Sequence, residues 1–302
     1  MTHIPHIGPG DAVLVFVRTD GSYDVGTHEP LFVPEGTRLI GTWEPVQPPG
    51  GAIYAVVVGG TLWHFAVENV TLSPLAEPVQ PWQEQERLAR ESQALAQEAE
   101  RQQRPATAQR LYARVLVERE ACGKTSDELA DVRQKRAFLL REVGKIEEAI
   151  SEFERLARTY EAAAFSPGYG GIDRGSAELA AQALNALGRT ILHHSDCSSD
   201  LMQQKLHRVA SRMQSMLKHI GRRYETKAEV LLTLAEISSV LGNQSEALSQ
   251  VAQAEALYQQ HLTAAASSGA VALHLARVKE AFGLKDHPRR PAAQTRRRTK
   301  GR

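Results

Sequence analysis

Apolar and polar positions follow two different periods along this chain, and the change from one to the other divides it. From Gly10 to about Ser73 the apolar residues come in short, β-branched runs separated by Gly and Pro: Val13-Leu-Val-Phe-Val17, Arg38 to Trp43, Ala52 to Val58 and Leu62-Trp63-His64-Phe65. Runs of this kind predict several short strands forming a small sandwich or barrel. Asp20-Gly21 predicts a hairpin after the first strand, and Gly59-Gly60 predicts one between the last two. From Trp82 to about Gly283 prolines are few and Ala, Leu, Glu, Gln and Arg dominate, with apolar residues at helical spacing. The predicted helices are 83–102, 105–121, 126–143, 146–163, 176–194, 200–222, 224–241, 244–262 and 270–282. Pro105 suits a first helical position, Thr125-x-x-Glu128 reads as a capping box, and Gly144 and Gly242 stand where helix ends take a positive φ. The expected fold class is therefore α+β and multidomain. It has a small β-barrel at 1–75, a Pro-containing linker at 76–81, an all-α domain at 82–283 and a disordered tail at 284–302.

A single pattern occurs twice within the helical region. Ala137/Gly144/Ala149/Phe153 and Ala235/Gly242/Ala247/Val251 share the spacing small-x6-Gly-x4-Ala-x3-large, 98 residues apart, and Ala96/Gln103/Ala108/Tyr112 is a third copy with Gln in place of Gly. The pattern describes a helix, a tight turn and a second helix whose Ala admits a close neighbour. Such a pair cannot bury its apolar stripe alone and is expected to stack. These residues resemble the tetratricopeptide repeat. The chain departs from that family in lacking its early Trp (Arg133 and Leu231 stand there) and its terminal Pro (Glu161 and Gln259 stand there). Spacing departs too, at 41 residues from Gln103 to Gly144 against roughly 34 for the family, and the pair at 176–222 lacks the pattern. A degenerate solenoid capped by 270–282 is the expectation. The opening Gly10-Asp-Ala-Val-Leu-Val and the closing Trp63-x-Phe-x-Val-Glu-Asn-Val70 are similar to small five-stranded barrels of the Tudor and KOW kind.

The repeat resemblance implies a concave face lined by the first helix of each pair. Groove positions then fall at Gln93 and Gln97, at Gln134, Phe138 and Arg141, and at Leu232 and Glu236. Family members that hold a terminal carboxylate use Lys and Asn at such places. Gln134 and Phe138 argue against that mode and for a helical or extended guest. Packing against neighbouring helices is the alternative role for each of these positions.

Charge changes the picture in two places. Residues 1–75 carry seven acids against Arg18 and Arg38, a net of −5, whereas 289–302 carry Arg289, Arg290, Arg296, Arg297, Arg298, Lys300 and Arg302 and no acid. The tail's arginines could pair with phosphates, which suits contact with nucleic acid or the ribosome, but the tail has no aromatic residue to stack on bases. Between Leu201 and Arg223 there are six Lys or Arg and no acid. Leu206, Val209, Met213, Met216, Leu217 and Ile220 form an apolar stripe there, and Lys205, Arg208, Arg212, His219 and Arg223 fall on an adjoining flank. That flank suits an acidic peptide, a phosphate or the acidic amino-terminal region, or else it is simply a solvated face.

Catalytic and metal chemistry find little support. His193-His194-Ser-Asp196-Cys197 places adjacent imidazoles about 100° apart on a helix, so they do not converge on one ion. Gly168-Tyr-Gly-Gly-Ile-Asp173 lacks the Lys-Ser/Thr ending of a phosphate loop. Trp63-His64-Phe65 alternates across a strand, and no nucleophile elbow occurs. Cys122 and Cys197 are the only thiols, too few for a disulfide framework. No run approaches a membrane span, and no secretory signal is visible at Met1 to Gly10. The reading is a cytoplasmic, non-enzymatic scaffold without a cofactor, holding a protein or peptide. Self-association is compatible with it, and a nucleic-acid-associated factor acting through the tail is the alternative.

Overall fold

Val13, Val15 and Val17 alternate with outward-facing neighbours, and this period of two makes Ala12–Val17 (β1) a strand with one buried face. The computed structural model describes residues 11–25, 31–44, 53–75, 81–166, 172–194, 197–221, 223–262 and 269–284. The chain forms two compact units, Met1–Asp196 and Cys197–Arg302.

In the first unit β1 is followed by Gly21–Val25 (β2), Leu31–Val33 (β3), Arg38–Glu44 (β4), Ile53–Val58 (β5), Thr61–Ala66 (β6) and Val70–Pro74 (β7). They form one antiparallel sheet in the order β3-β2-β6-β5-β4-β1-β7, so the described strands leave β3 and β7 as edges. The expected Gly59-Gly60 hairpin is present: Val58 faces Thr61, and both glycines have positive φ, +58° and +84°. Two successive positive values are what a type I′ turn needs. The hairpin expected at Asp20-Gly21 does not form, because β1 pairs with β4 and β7 while β2 pairs with β3 and β6. The Asp20 carboxylate instead accepts the Glu35 amide at 2.6 Å and faces Arg110.

Among the described residues this unit also holds the α-helices Pro81–Arg101 (α1), Pro105–Glu120 (α2), Ala130–Glu142 (α3), Ile146–Ala164 (α4) and Arg174–His194 (α5). Each packs on the next. Val117 and Ala121 at the end of α2 lie in the same core as Val15, Val56, Trp63 and Phe65. This shared core explains why the compact units divide between Asp196 and Cys197, inside the expected helical domain, and not at the expected linker 76–81. Helix α3 begins four residues later than expected. Glu128 does reach back to the Thr125 amide at 2.9 Å, but 126–129 form a turn and the helix starts after Leu129.

The second unit contains Asp200–Leu217 (α6), Tyr224–Val240 (α7), Gln244–Leu262 (α8) and Gly269–Ala281 (α9). Its core joins Ala228, Leu232, Ala235, Ala247 and Val251 to Val271, Leu275 and Val278 of α9. The expected apolar stripe of α6 is buried at Leu206, Val209, Met213 and Met216. The helix stops at Leu217, five residues short of the expected end, because tight i→i+3 bonds at Lys218 and His219 turn Ile220 inward.

The repeated pattern has the same local geometry in all three copies. Gly144, Gly242 and Gln103 have φ of +79°, +82° and +55°. The amide of the following residue bonds back to the carbonyl of Leu140, Ser238 or Ala99, the double closure of a Schellman cap. Ala96, Ala137 and Ala235 before the turn, and Ala108, Ala149 and Ala247 after it, are all fully buried.

Candidate functional site

Helix α2 presents Ala113, Leu116 and Val117 as the floor of a cleft of about 540 Å³. One wall is the sheet edge, where Leu31, Phe32 and Pro34 follow one another, and Phe32 is half exposed. The other wall is charged and belongs to α3, the turn after it and α4.

The charged wall is built on the helical hairpin that turns at Gly144. Arg133 and Arg136, one helical turn apart on α3, face Glu148 and Glu152, one turn apart on α4, across the Gly144 hairpin. Arg133 bonds Glu120 and lies 3.4 Å from Glu152; Arg136 bonds Glu152 and lies 3.4 Å from Glu148. The Arg133 guanidinium is nearly buried, so the network's value lies in keeping Glu152 and Glu120 paired rather than in net attraction. Burial pushes the Glu120 carboxyl up, opposed by the Arg133 charge. Arg155 completes the wall, exposed, with no carboxylate within salt-bridge distance among the described residues.

Beyond Arg110 a second cavity of about 470 Å³ follows the start of α2, lined by Phe16, Glu35, Gly36, Thr107, Leu111 and Arg114 among others. Arg110 lines both cavities. Its Nη2 lies 3.3 Å from Asp20 Oδ2 and 3.7 Å from Glu35 Oε2, and Arg114 Nη2 donates to the Glu35 carbonyl at 2.8 Å.

Below the cavities the sheet is joined to the helices by a buried polar cluster. Glu118 is fully buried, accepts the Arg38 amide at 3.2 Å and has its Oε1 3.8 Å from Arg38 Nε. Burial pushes its carboxyl up to about 7. Arg38 donates to the Leu88 carbonyl, Ser92 and Glu91 of α1.

None of the seven groove positions expected from the repeat resemblance lines the cleft. Gln93 is half-buried and accepts from Arg119 at 2.6 Å, Gln97 is exposed and Gln134 is half-buried. Phe138 is the most groove-like of them, packed edge-on against Phe153 at 5.2 Å with the Arg141 guanidinium 5.1 Å over its ring. Burial, with Arg189 nearby, pulls the Arg141 pKa down. Leu232 is completely buried in the core with α8 and α9, so it cannot line a groove. Glu236 faces His274 of α9 at 3.3 Å. The terminal helix thus meets the face on which a guest was expected. In the basic flank, Arg208 is exposed and Lys205 and Arg212 are half-buried on α6, while His219 and Arg223 lie beyond the helix end and do not extend its face. Arg289, Arg290, Arg296, Arg297, Arg298, Lys300 and Arg302 lie outside the described residues.

His193 and His194 are exposed at the end of α5. Among the described residues no group of His, Cys, Asp and Glu is placed to hold a metal ion. Cys122 donates to the Glu118 carbonyl at 3.4 Å, and burial pushes its thiol up to about 11, away from thiolate chemistry. No helix among the described residues is long and apolar enough to cross a membrane.

No family model matches the chain, and no curated protein matches it. Among solved structures it is similar to the crystal structure of BtubC (BKLC) from P. vanneervenii, with a TM-score of 0.42 and 18% identity over 69% of this chain and 70% of that one.

Proposed function

We propose that this protein is an interaction module that holds a segment of another protein in the α2-floored cleft. The observation that carries the reading is the lining itself. An apolar floor and an aromatic rim face a wall of fixed charges, so an occupant gains from burying apolar side chains on one side and from ionic pairing on the other. The charged wall is already ordered by its own ion pairs, so little side-chain freedom is lost on binding. In this reading the helical hairpins are degenerate repeats of the tetratricopeptide kind that serve as a rigid wall. The sheet, curled as a small barrel, supplies the opposite rim. The guest lies between the second helices and the sheet, and the first-helix face is left to packing and solvent.

The test is photo-crosslinking of the full chain in its own cell with a benzoyl-phenylalanine at position 32, and at position 273 as an exposed control on α9. A discrete protein adduct at position 32 only is expected. The adducted segment, synthesised as a peptide, should bind the purified full chain and lose binding to Phe32→Asp. Nucleic acid in the adduct, equal labelling from both positions, or a peptide indifferent to Phe32→Asp overturns the reading.

A further inference from the structure

The two cavities along α2 meet at one side chain. Arg110 lines both, and it is held between them by Asp20 and Glu35. All three side chains of this strap are about half exposed, at 55%, 45% and 58%. Exposed pairs of this kind are weak and screened by solvent, so the strap is easily exchanged for another carboxylate. Asp20 is meanwhile fixed by a different bond, since its Oδ1 accepts the Glu35 amide at 2.6 Å. Arg110 is therefore the member free to change partner. Arg114 stands one turn further along α2 and reaches the Glu35 carbonyl, and Arg155 stands across the first cavity. A chain crossing from one cavity to the other passes Arg110, with Arg155 lining the first cavity beside the already paired Glu148 and Glu152, and Arg114 lining the second.

We infer that the two cavities form one track for an extended acidic-apolar protein segment, in which a carboxylate of the guest takes Arg110 from Asp20 at the crossing. This inference rests on the cleft being a protein-binding site and adds the chemistry of the guest. The strap acts as a threshold: a guest without a carboxylate at the crossing leaves Arg110 in place and reaches one cavity only. A guest with one gains a charge-assisted, two-pronged hydrogen bond and continues along Leu111 toward Phe16.

A random peptide library displayed on phage and panned on the full chain tests this directly. The enriched peptides, labelled and titrated by fluorescence anisotropy, are expected to carry Asp or Glu beside an aliphatic or aromatic residue. Asp20→Asn keeps an acceptor for the Glu35 amide and removes the competing charge, so it should tighten binding about two- to fivefold. Arg110→Gln should weaken it roughly tenfold or more, and Arg110→Lys, which keeps charge but not the fork, should fall between. Circular dichroism of each variant shows whether it is folded. Enriched peptides that are blocked by Phe32→Asp but lack carboxylates overturn the track while leaving the cleft reading intact. No enriched peptide, or peptides indifferent to both Phe32 and Arg110, overturns both. Carboxylate peptides whose affinity does not change in Asp20→Asn overturn the exchange at Arg110.

Discussion

The side-chain amide of Gln85 is bonded to the strand β4 as a neighbouring strand would be: it accepts from the Ile40 amide at 2.6 Å and donates to the Arg38 carbonyl at 2.9 Å. The pairing of β4 with β5 begins at Thr42, so the earlier half of β4 has one edge to satisfy, and α1 satisfies it. Gln85 is 2% exposed, which leaves these groups out of reach of solvent. Replacing it by Leu strands a buried donor and a buried acceptor, which should cost about 2–4 kcal/mol. Gln85→Glu keeps the acceptor for Ile40 but loses the donor to Arg38. Urea unfolding followed by tryptophan fluorescence should rank native above Glu above Leu; equal midpoints for native and Leu would mean the bonds contribute nothing.

Glu118 makes the same joint sensitive to pH. Its carboxyl is raised by burial from 4.5 to about 7, so the folded state holds that proton more tightly than the unfolded chain does. The contribution is fully present below about 4.5 and is lost as pH rises through about 7. Its size is on the order of 3 kcal/mol. Stability measured by urea unfolding should fall between pH 5 and pH 8, and Glu118→Gln should flatten that slope. A native slope unchanged in the variant would assign the pH dependence to other groups.

The turn at Gly59-Gly60 separates two roles that look alike in the sequence. Both residues have positive φ, but a Cβ on Gly59 would lie 2.4 Å from the Ala121 carbonyl oxygen, whereas one on Gly60 meets nothing within 4 Å. Gly60→Ala should therefore cost only the left-handed conformation, about 1–2 kcal/mol. Gly59→Ala adds a backbone clash where the hairpin rests on the end of α2, for about 1–3 kcal/mol more. Thermal unfolding midpoints of the two variants decide this, and equal losses would mean that the hairpin does not press on α2.

How much of this was legible follows from the range of each signal. Helix positions were readable because each is set by a local stripe and a local stop: Pro105 opens α2, and Gly144 and Gly242 close α3 and α7. Strands β1, β4, β5 and β6 fall on apolar runs visible in the sequence, whereas β2, β3 and β7 fall on none. The strand order was not readable, since nothing near Asp20 shows that its carboxylate is committed to Glu35 and Arg110. The burial of Leu232 was missed because α9, some forty residues on, covers that face. The cleft was missed for the same reason. Arg110 and Arg114 stand at i,i+4 on α2 and Arg133 and Arg136 at i,i+3 on α3, but helical spacing alone does not single them out. That they face a common space depends on where the sheet edge docks.

The third copy of the repeat offers the sharpest check of the repeat itself. At its turn Gln103 has φ +55°, with the same double closure, Gln103 amide to Glu100 carbonyl and Arg104 amide to Ala99 carbonyl, that Gly144 and Gly242 make. A residue with a Cβ in this region loses about 1–2 kcal/mol relative to glycine. Glycine's greater freedom in the unfolded chain offsets some of that, about 0.5–1 kcal/mol. Gln103 is exposed, so no buried contact is sacrificed by removing its side chain. Gln103→Gly should thus stabilise the protein, by roughly 0.5–1 kcal/mol, an unusual sign for a substitution to glycine next to a helix. Gln103→Ala, which keeps the Cβ, should not share the gain. If both variants lose stability alike in urea, the turn between α1 and α2 is not a member of the series made by the other two.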